Sequence, residues 1–121
     1  MRFLPLVAVA IFALCGQCVG EELKTFDESQ IVERDGLCYE FDGTTLFTGK
    51  VTGKFYSGQP RIEINYKNGK KDGPSISWFE TGKVRMQSSF KAGKRDGRWV
   101  KWNANGQIQF QKIYRDGMRV N

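Results

Sequence analysis

The sequence predicts an all-β protein: an elongated antiparallel sheet of stacked β-hairpins, built from three 24-residue repeats and a degenerate N-terminal capping hairpin. The first observation behind this prediction is a glycine register. Glycine returns every 24 residues at the first place of each repeat (Gly49, Gly73, Gly97), the tenth (Gly58, Gly82, Gly106) and the twenty-first (Gly69, Gly93, Gly117). Self-similarity at a fixed period of about 20–50 residues indicates a repeat architecture. The repeats therefore span 49–72, 73–96 and 97–120.

The second observation is strand-like alternation in each repeat. In the third repeat, Phe110 and Tyr114 alternate with glutamines, and the first halves carry apolar pairs two residues apart, such as Val100 and Trp102. Period-two alternation places the two sets on opposite faces of a strand. We expect an inner, concave face lined by Ile62, Ile64, Tyr66, Trp78, Met86, Phe90, Trp102, Phe110 and Tyr114.

Two interpretations of this face stay open. The apolar side chains either pack against one another across the curve, or they form an aromatic groove for a partner or a second copy of the chain. The candidate binding residues of the aromatic face are Tyr66, Trp78, Phe90, Trp102, Phe110 and Tyr114.

Turn-forming dipeptides separate the predicted strands. Within repeats these are Ser57-Gly58, Thr81-Gly82 and Asn105-Gly106, and between repeats Asn68-Gly69, Asp72-Gly73 and Asp96-Gly97. Glycine adopts positive φ without steric cost, which such turns require. Pro60 cannot donate a ladder hydrogen bond, so we expect the first hairpin to be less regular than the others.

The residues before the repeats divide into three segments. Residues 34–48 are predicted to form the capping hairpin, because Leu37, Tyr39 and Phe41 alternate before a turn at Asp42-Gly43. Residues 21–33 are predicted to be an acidic, mobile leader. Residues 1–20 have the layout of a secretory signal: Arg2, a short apolar run and a small-residue exit at Gly20.

The signal predicts an exported, periplasmic or secreted protein. The alternative is a lipoprotein acylated at Cys15 or Cys18. After cleavage only Cys38 remains, so no disulfide can form within the mature chain.

Charge is distributed unevenly along the chain. Residues 21–42 carry eight acidic and two basic residues, a net charge of −6, whereas residues 43–121 carry sixteen basic and five acidic residues, a net charge of +11. Stacking the repeats aligns a basic edge at the turns between them, formed by Lys67, Lys70, Lys71, Lys91, Lys94, Arg95, Arg115 and Arg119. This edge either keeps the sheet soluble or faces a polyanion or anionic headgroups, unless the acidic leader lies along it and masks it.

The sequence gives no support to catalysis. It contains no histidine, no glycine-rich phosphate loop between a strand and a helix, and no cysteine or carboxylate cluster with metal-ligand spacing. We therefore predict a non-enzymatic protein without cofactor or metal.

The repeat pattern resembles a known family. An aromatic four residues before glycine, as in Trp78 and Gly82, is followed by an aromatic and then Gly-Lys-x-Asp-Gly, as in residues 90–97 and 66–73. This pattern is similar to that of the MORN-repeat family, specifically its bacterial variant. The stretches Arg34-Asp35-Gly36-Leu37 and Phe47-Thr48-Gly49-Lys50-Val51 resemble exported chains of the YwqK-type antitoxin family. The resemblance covers about residues 34–121 and implies an elongated antiparallel sheet that contacts proteins or membrane surfaces.

Three functions follow as predictions. The first is a protein-interaction module of the cell envelope, with another protein or a second copy as partner. The second is a peripheral binder of anionic membrane surfaces, and the third an antitoxin-like partner of a cognate toxin. Export argues against nucleic acid as the polyanion, although basic chains rich in aromatics do bind it.

Overall fold

The computed structural model describes residues 24–121, and these form almost only β-strands. The predicted signal segment, with Cys15 and Cys18, lies outside the described residues. The strands are β1 Lys24–Asp27, β2 Ile31–Arg34, β3 Leu37–Glu40, β4 Gly49–Lys54, β5 Pro60–Lys67, β6 Lys70–Trp78, β7 Val84–Lys91, β8 Lys94–Arg95, β9 Gly97–Trp102, β10 Ile108–Arg115 and β11 Met118–Arg119. One 3-10 turn, Glu28–Gln30, follows β1.

The strands form one long sheet of stacked hairpins, which confirms the predicted fold class. Its order is β1-β4-β5-β6-β7-β9-β10-β11, with the short β8 also paired to β7. Each repeat contributes one hairpin: β4–β5, β6–β7 and β9–β10. The sheet is mixed rather than purely antiparallel, because β1 runs parallel to β4. Strands β2 and β3 form a separate two-stranded sheet.

The first hairpin is as regular as the other two, so the expected effect of Pro60 is wrong. Pro60 is the first residue of β5, where no ladder donor is lost from the middle of a strand. It pairs with Lys54 at a register shift, and the other two hairpins have register shifts at the same end. The irregularity is thus a property of the repeat.

Hydrogen bonds with a 24-residue period hold neighbouring repeats together. A glycine N–H at the twenty-first place donates to a carbonyl of the preceding unit: Gly69 to Phe47 at 2.8 Å, Gly93 to Lys71 at 2.8 Å and Gly117 to Arg95 at 2.7 Å. The amide one residue earlier donates to a side chain: Asn68 to Thr48 Oγ1 at 2.9 Å, Ala92 to Asp72 Oδ1 at 2.8 Å and Asp116 to Asp96 Oδ1 at 3.3 Å. Asn68, Ala92 and Asp116 all have positive φ, as the first position of a type I′ turn requires.

We expect Asp72→Ala to lower the free energy of unfolding by about 1 kcal/mol, because it removes the acceptor of the Ala92 amide at a turn that carries a strained residue. Urea denaturation measures this change. Glu80→Ala, at an exposed position in the loop between β6 and β7, is the control and should leave the midpoint unchanged. Equal midpoints for the two variants would contradict the role given to Asp72.

The described part of the predicted leader is built into the fold. Residues 24–33 form β1, the 3-10 turn and β2 in place of a loosely docked tail. The turn begins with a capping box, in which Asp27 accepts from Ser29 and Gln30 bonds back to the Asp27 amide. Phe26 lies opposite Val51 across the parallel pair, so the leader brings an aromatic ring to the core.

The capping hairpin differs from its prediction in its partner strand. Strand β3 pairs with β2 along its length, whereas the predicted return segment 44–48 forms no strand and is joined to β3 by the isolated bridge between Tyr39 and Leu46 and by the Glu40 amide, which donates to Thr45 at 2.7 Å. The amide of Phe47 donates to Cys38, and the amide of Cys38 donates to Gly69 of the first repeat. The cap is therefore hydrogen-bonded to the same turn that joins the first two repeats.

The main core lies at the N-terminal end of the sheet. Cys38, Phe47 and Val51 are buried, and Phe26, Ile31 and Tyr66 pack around them. The rings of Phe26 and Phe47 are 5.0 Å apart, and those of Phe47 and Tyr66 are 6.1 Å apart. Val100 and Tyr114, in the third repeat, are the other buried apolar side chains among the described residues.

Candidate functional site

An open groove runs along the inner face of the sheet. It has a volume of about 240 Å³ and extends over β5, β6, β7 and β9, where its apolar lining is Ile62, Ile64, Ile76, Met86, Phe90 and Trp99. Ser75, Ser77 and Ser88 form a polar strip along its floor. We call this concavity the inner groove. No other described segment covers the groove, whereas the cap covers the same face at Val51 and Tyr66.

The cross-strand register decides which residues face inward. Tyr66 lies opposite Gly49, Phe90 opposite Gly73 and Tyr114 opposite Gly97, so the three aromatics at the eighteenth place share one face. Phe110 shares this face, since it lies two residues before the inward Lys112 and opposite Lys101. Four of the six candidate aromatics are thus brought together on one side of the sheet.

Trp78 and Trp102 lie on the other side. Each directly follows an inward residue, Ser77 or Lys101, so strand alternation turns the indoles outward. Consistent with this, Trp102 lines a separate concavity with Gln87, which is paired with the outward Val100. The inner face predicted from spacing alone was therefore wrong for Trp78 and Trp102, in the first halves of the second and third repeats.

Trp99 is the inner-face residue that the sequence reasoning missed. Its ring lies 5.2 Å from Phe90 and 5.4 Å from Tyr114, and its Nε1–H donates to the Ser89 carbonyl at 3.0 Å. The third place of the other repeats holds Val51 and Ser75, so no aromatic period marks it. The usable signal was the hairpin register, which sets the third place opposite the sixteenth.

Two cations of the predicted basic edge lie over aromatic rings instead of pointing only to solvent. Lys71 Nζ is 5.1 Å from the Phe90 ring centre. The Arg95 guanidinium lies 4.9 Å from Trp99 and 5.2 Å from Tyr114, and it donates to the Tyr114 hydroxyl at 3.2 Å. Cation–π contacts of this kind contribute about 0.5–1 kcal/mol at exposed sites. Lys71 and Arg95 therefore belong to the rim of the inner groove as well as to the edge.

Two further cations of the basic edge, Lys70 and Lys94, lie against turn glycines. A Cβ added at Gly93 would lie 3.6 Å from Lys70 Cδ, and one added at Gly117 would lie 3.9 Å from Lys94 Cβ. The lysine stem of one repeat thus lies across the turn glycine of the next. Since successive repeats advance by two strands, the ammonium groups repeat at roughly 10 Å along the edge.

The basic edge lacks carboxylate partners within the described part of the chain. The ion pairs found there join Lys24 to Glu40, Lys50 to Glu63 and Arg61 to Glu28. None of them involves Lys67, Lys70, Lys71, Lys91, Lys94, Arg95, Arg115 or Arg119. The one ion pair between residues 24–33 and the repeats joins Glu28 to Arg61, which is not part of this edge, so the ion pairs of this segment give the masking hypothesis no support.

A second concavity separates the cap from the turns of the first two repeats. It has a volume of about 440 Å³, and its charged lining residues are Glu33, Lys70, Lys71 and Lys94. Cys38 and Tyr66 form part of its wall. Burial raises the pKa of the Cys38 thiol, which therefore stays protonated and has the character of a core side chain.

Burial also raises the pKa of Tyr66 to about 12, from 10.0 for the free phenol. Above pH 10 the unfolded chain loses this proton while the folded chain keeps it, so the free energy of unfolding falls as pH rises from about 10 to about 12. We expect Tyr66→Phe to remove this part of the alkaline loss. The measurement is the difference between the urea midpoints of the two proteins across that range, and a pH-independent difference would contradict the assignment.

Metal-ligand clusters and membrane-spanning helices are both absent from residues 24–121. Between residues 24 and 121, no group of three or more cysteine, aspartate or glutamate side chains could hold a metal ion. Over the same range, no helix has the length and apolar character to cross a bilayer.

The fold and these surfaces define a class of protein: a repeat protein of stacked β-hairpins, with an open inner groove and a basic edge. The family comparison agrees with this class. The sequence model for the MORN repeat variant matches three consecutive segments, residues 47–68, 71–92 and 95–116, each beginning two residues before the glycine register. The chain belongs to the MORN repeat variant family. Such repeats are non-catalytic and generally mediate contact with proteins or membranes.

The other comparisons add little. The chain is similar to a chain in the crystal structure of the GtfA/B complex bound to UDP and GlcNAc, with a TM-score of 0.34 and 12% sequence identity. The match covers 74% of this chain and 18% of the length of that chain. No curated protein matches significantly.

Proposed function

We propose that this protein is an exported, non-enzymatic interaction module of the cell envelope, and that its inner groove binds a partner protein. The observation that carries the proposal is the difference between the repeats. At the first repeat, Phe26 and Phe47 of the same chain cover the inner face. At the second and third, Met86, Phe90 and Trp99 line an open groove without such a cover.

The lining of the groove suits a protein partner. Protein interfaces favour buried aromatics and methionine at their centre with cations at the rim. The inner groove combines Phe90, Trp99 and Met86 with Lys71 and Arg95 in this arrangement. A concavity this shallow holds a side chain or two of an extended segment better than it encloses a small molecule.

Export is supported by the sequence of residues 1–20. A basic start, a short apolar run and a small-residue exit are typical of secretory signals. The proposed location is the periplasm or the medium, with a lipid anchor at Cys15 or Cys18 as the alternative. Fractionation of cells that express the full chain separates these cases, and the intact precursor in the cytoplasm would contradict export.

A photo-crosslinking experiment tests the groove as a binding surface. A photoreactive amino acid replaces Ser88 in the groove or, as the matched control, the fully exposed Tyr56 in the loop between β4 and β5. Irradiation in intact cells should give a discrete protein adduct from position 88 and none from position 56. If both positions give the same adducts, or neither gives any, the groove is not a protein-binding surface.

The basic edge favours a second candidate function, peripheral binding to anionic membrane surfaces. Its eight cations have no carboxylate partner within residues 24–121, and Lys70 and Lys94 lie against turn glycines. The double variant Lys70→Ala/Lys94→Ala should lose binding to vesicles that contain anionic phospholipid, while Lys83→Ala in a distant loop should not. Binding should also weaken as salt is raised, because charges act over only about 8 Å at physiological ionic strength. Equal vesicle binding by both variants would exclude the basic edge as a membrane-binding surface.

The antitoxin-like role is a special case of the leading proposal, in which the partner is a cognate toxin. It is motivated by the resemblance of residues 34–37 and 47–51 to the YwqK-type proteins. Mass spectrometry of the position-88 adduct decides it. If the partner is a toxin whose gene lies beside the gene of this protein, the antitoxin-like role is supported. If it is a non-toxic envelope component, that role is ruled out.

A further inference from the structure

We infer that the segment bound in the inner groove is extended and acidic, with an aromatic or aliphatic side chain flanked by carboxylates. This inference rests on the proposed function, since it names the chemistry of the partner at the same groove. Three features of the described residues carry it: the charge of the inner face, the way the chain covers that face at the first repeat, and the polar strip on the floor.

The inner face of the second and third repeats carries positive charge and no carboxylate. Lys101 lies opposite both Met86 and Phe110, and Lys112 Nζ is 4.5 Å from the Phe110 ring centre. Lys71 and Arg95 add two more cations at the rim. Apart from Gly73 and Gly97, the other inward residues are serine, methionine or aromatic: Ser75, Ser77, Met86, Ser88, Phe90, Trp99, Phe110 and Tyr114. A partner without carboxylates would leave four cations uncompensated next to an apolar contact.

The chain itself shows how this face is covered. At the first repeat the edge strand β1 lies beside β4 in the sheet, and its Phe26 side chain packs next to Val51 and against the Phe47 ring that covers this face. The residue after β1, Glu28, pairs with Arg61 of the first repeat. Within the chain, the first repeat is thus contacted by an aromatic side chain, Phe26, followed two residues later by a carboxylate, Glu28. The open groove has the same two features, an apolar surface and a nearby cation, and can present them to a segment of another protein.

The floor of the groove also favours a peptide over a purely apolar ligand. The Ser75 hydroxyl is buried and has no hydrogen-bond partner among the described residues, and Ser88 lies directly opposite it. An unsatisfied buried hydroxyl costs roughly 1–3 kcal/mol. An extended segment carries backbone donors and acceptors at regular intervals, so it can bond to this serine strip while its side chains enter the groove.

Three synthetic eight-residue peptides test the inference. In the first, glutamates alternate with phenylalanine and isoleucine. The second replaces every glutamate by lysine, and the third keeps the glutamates but replaces the apolar residues by alanine. Fluorescence anisotropy with the mature chain should show binding of the first peptide alone. Each of the other two should bind at least about tenfold more weakly, since they lose either the charge complementarity or the apolar anchors.

Charge reversal locates the binding. The variant Lys101→Glu/Lys112→Glu should weaken the acidic peptide at least about tenfold and strengthen the lysine peptide. The control Lys67→Glu/Lys91→Glu makes the same change in net charge on the exposed edge and should leave the acidic peptide bound. Thermal denaturation of both variants verifies that each is folded before the comparison is made.

The outcomes separate this inference from the proposed function. If the lysine peptide binds as well as the acidic one, or both charge-reversed variants lose binding equally, the inference is wrong while the groove can still crosslink a partner. If the position-88 adduct is a second copy of this chain, the inference also fails, because the groove is then a self-association surface. If no peptide binds and no adduct forms, both proposals fall.

Discussion

Replacement of Phe47 by alanine is expected to lower the free energy of unfolding by about 3–5 kcal/mol, the range for a large aromatic truncated in a packed core. Phe47 has no exposed surface and sits between the rings of Phe26 and Tyr66. Its backbone also joins Cys38 to Gly69, so the cavity lies where the cap meets the first repeat. The loss should therefore approach the whole stability of a domain this small.

Denaturant titration followed by tryptophan fluorescence measures the Phe47 effect. Phe41→Ala is the matched control, because the Phe41 ring is 77% exposed and its removal leaves no cavity. A loss below about 1 kcal/mol for Phe47→Ala would mean that the cap is not packed on the sheet as described. A loss of the same size in the control would point to an effect on the unfolded chain.

The second large effect is expected at Gly49, where alanine should cost about 3 kcal/mol. Gly49 has φ +147°, and a Cβ there would collide with the Lys24 carbonyl oxygen and lie 3.0 Å from Phe47 Cζ. The oxygen belongs to the backbone of β1, which cannot move aside without breaking its pairing with β4. The substitution should thus detach the parallel strand from the edge of the sheet.

Gly73→Ala provides the comparison for Gly49, since it stands at the same place in the next repeat. It shares the positive φ, but its nearest neighbour would be Asn65 Cβ at 3.6 Å, an ordinary contact. The backbone strain of an alanine at positive φ should lower the free energy of unfolding of Gly73→Ala by about 1 kcal/mol. Equal losses in the two variants would show that β1 is not held against Gly49. Hydrogen exchange of residues 24–27 should become faster only in Gly49→Ala.

The repeat length and the strands of the second half could be predicted from the sequence. The glycine register marks turns that need positive φ, and that need is local, so sequence alone reveals it. Alternation assigned the aromatics at the eighteenth place, such as Phe90 and Tyr114, to one face because they lie within one strand. The predicted 24-residue stacking followed from the same two patterns.

Register between strands could not be predicted in this way. The pairing of β9 with β10 sets Trp99 opposite Lys112, and this pairing depends on loop length and on the shift near Trp102. Spacing alone therefore chose Trp78 and Trp102 for the inner face and overlooked Trp99. The leader was misjudged for a related reason. Its acidic composition is typical of an unfolded tail, but Phe26 supplies an anchor whose partner, Phe47, is 21 residues away.

Because the cap covers only the first repeat, local stability is expected to decline along the array from its N-terminal to its C-terminal end. Nearest-neighbour coupling makes each hairpin depend on the one before it, and the tightest packing lies around Cys38, Phe47 and Val51 at one end. Thermal opening should therefore begin at β10 and β11 and travel inward. Amide hydrogen exchange should show protection that declines in three steps from the first repeat to the third. Unfolding of such an array starts at its C-terminal end and passes through partly unfolded states. A partner bound at the third repeat would suppress those states, so it would raise the cooperativity of unfolding as well as the stability.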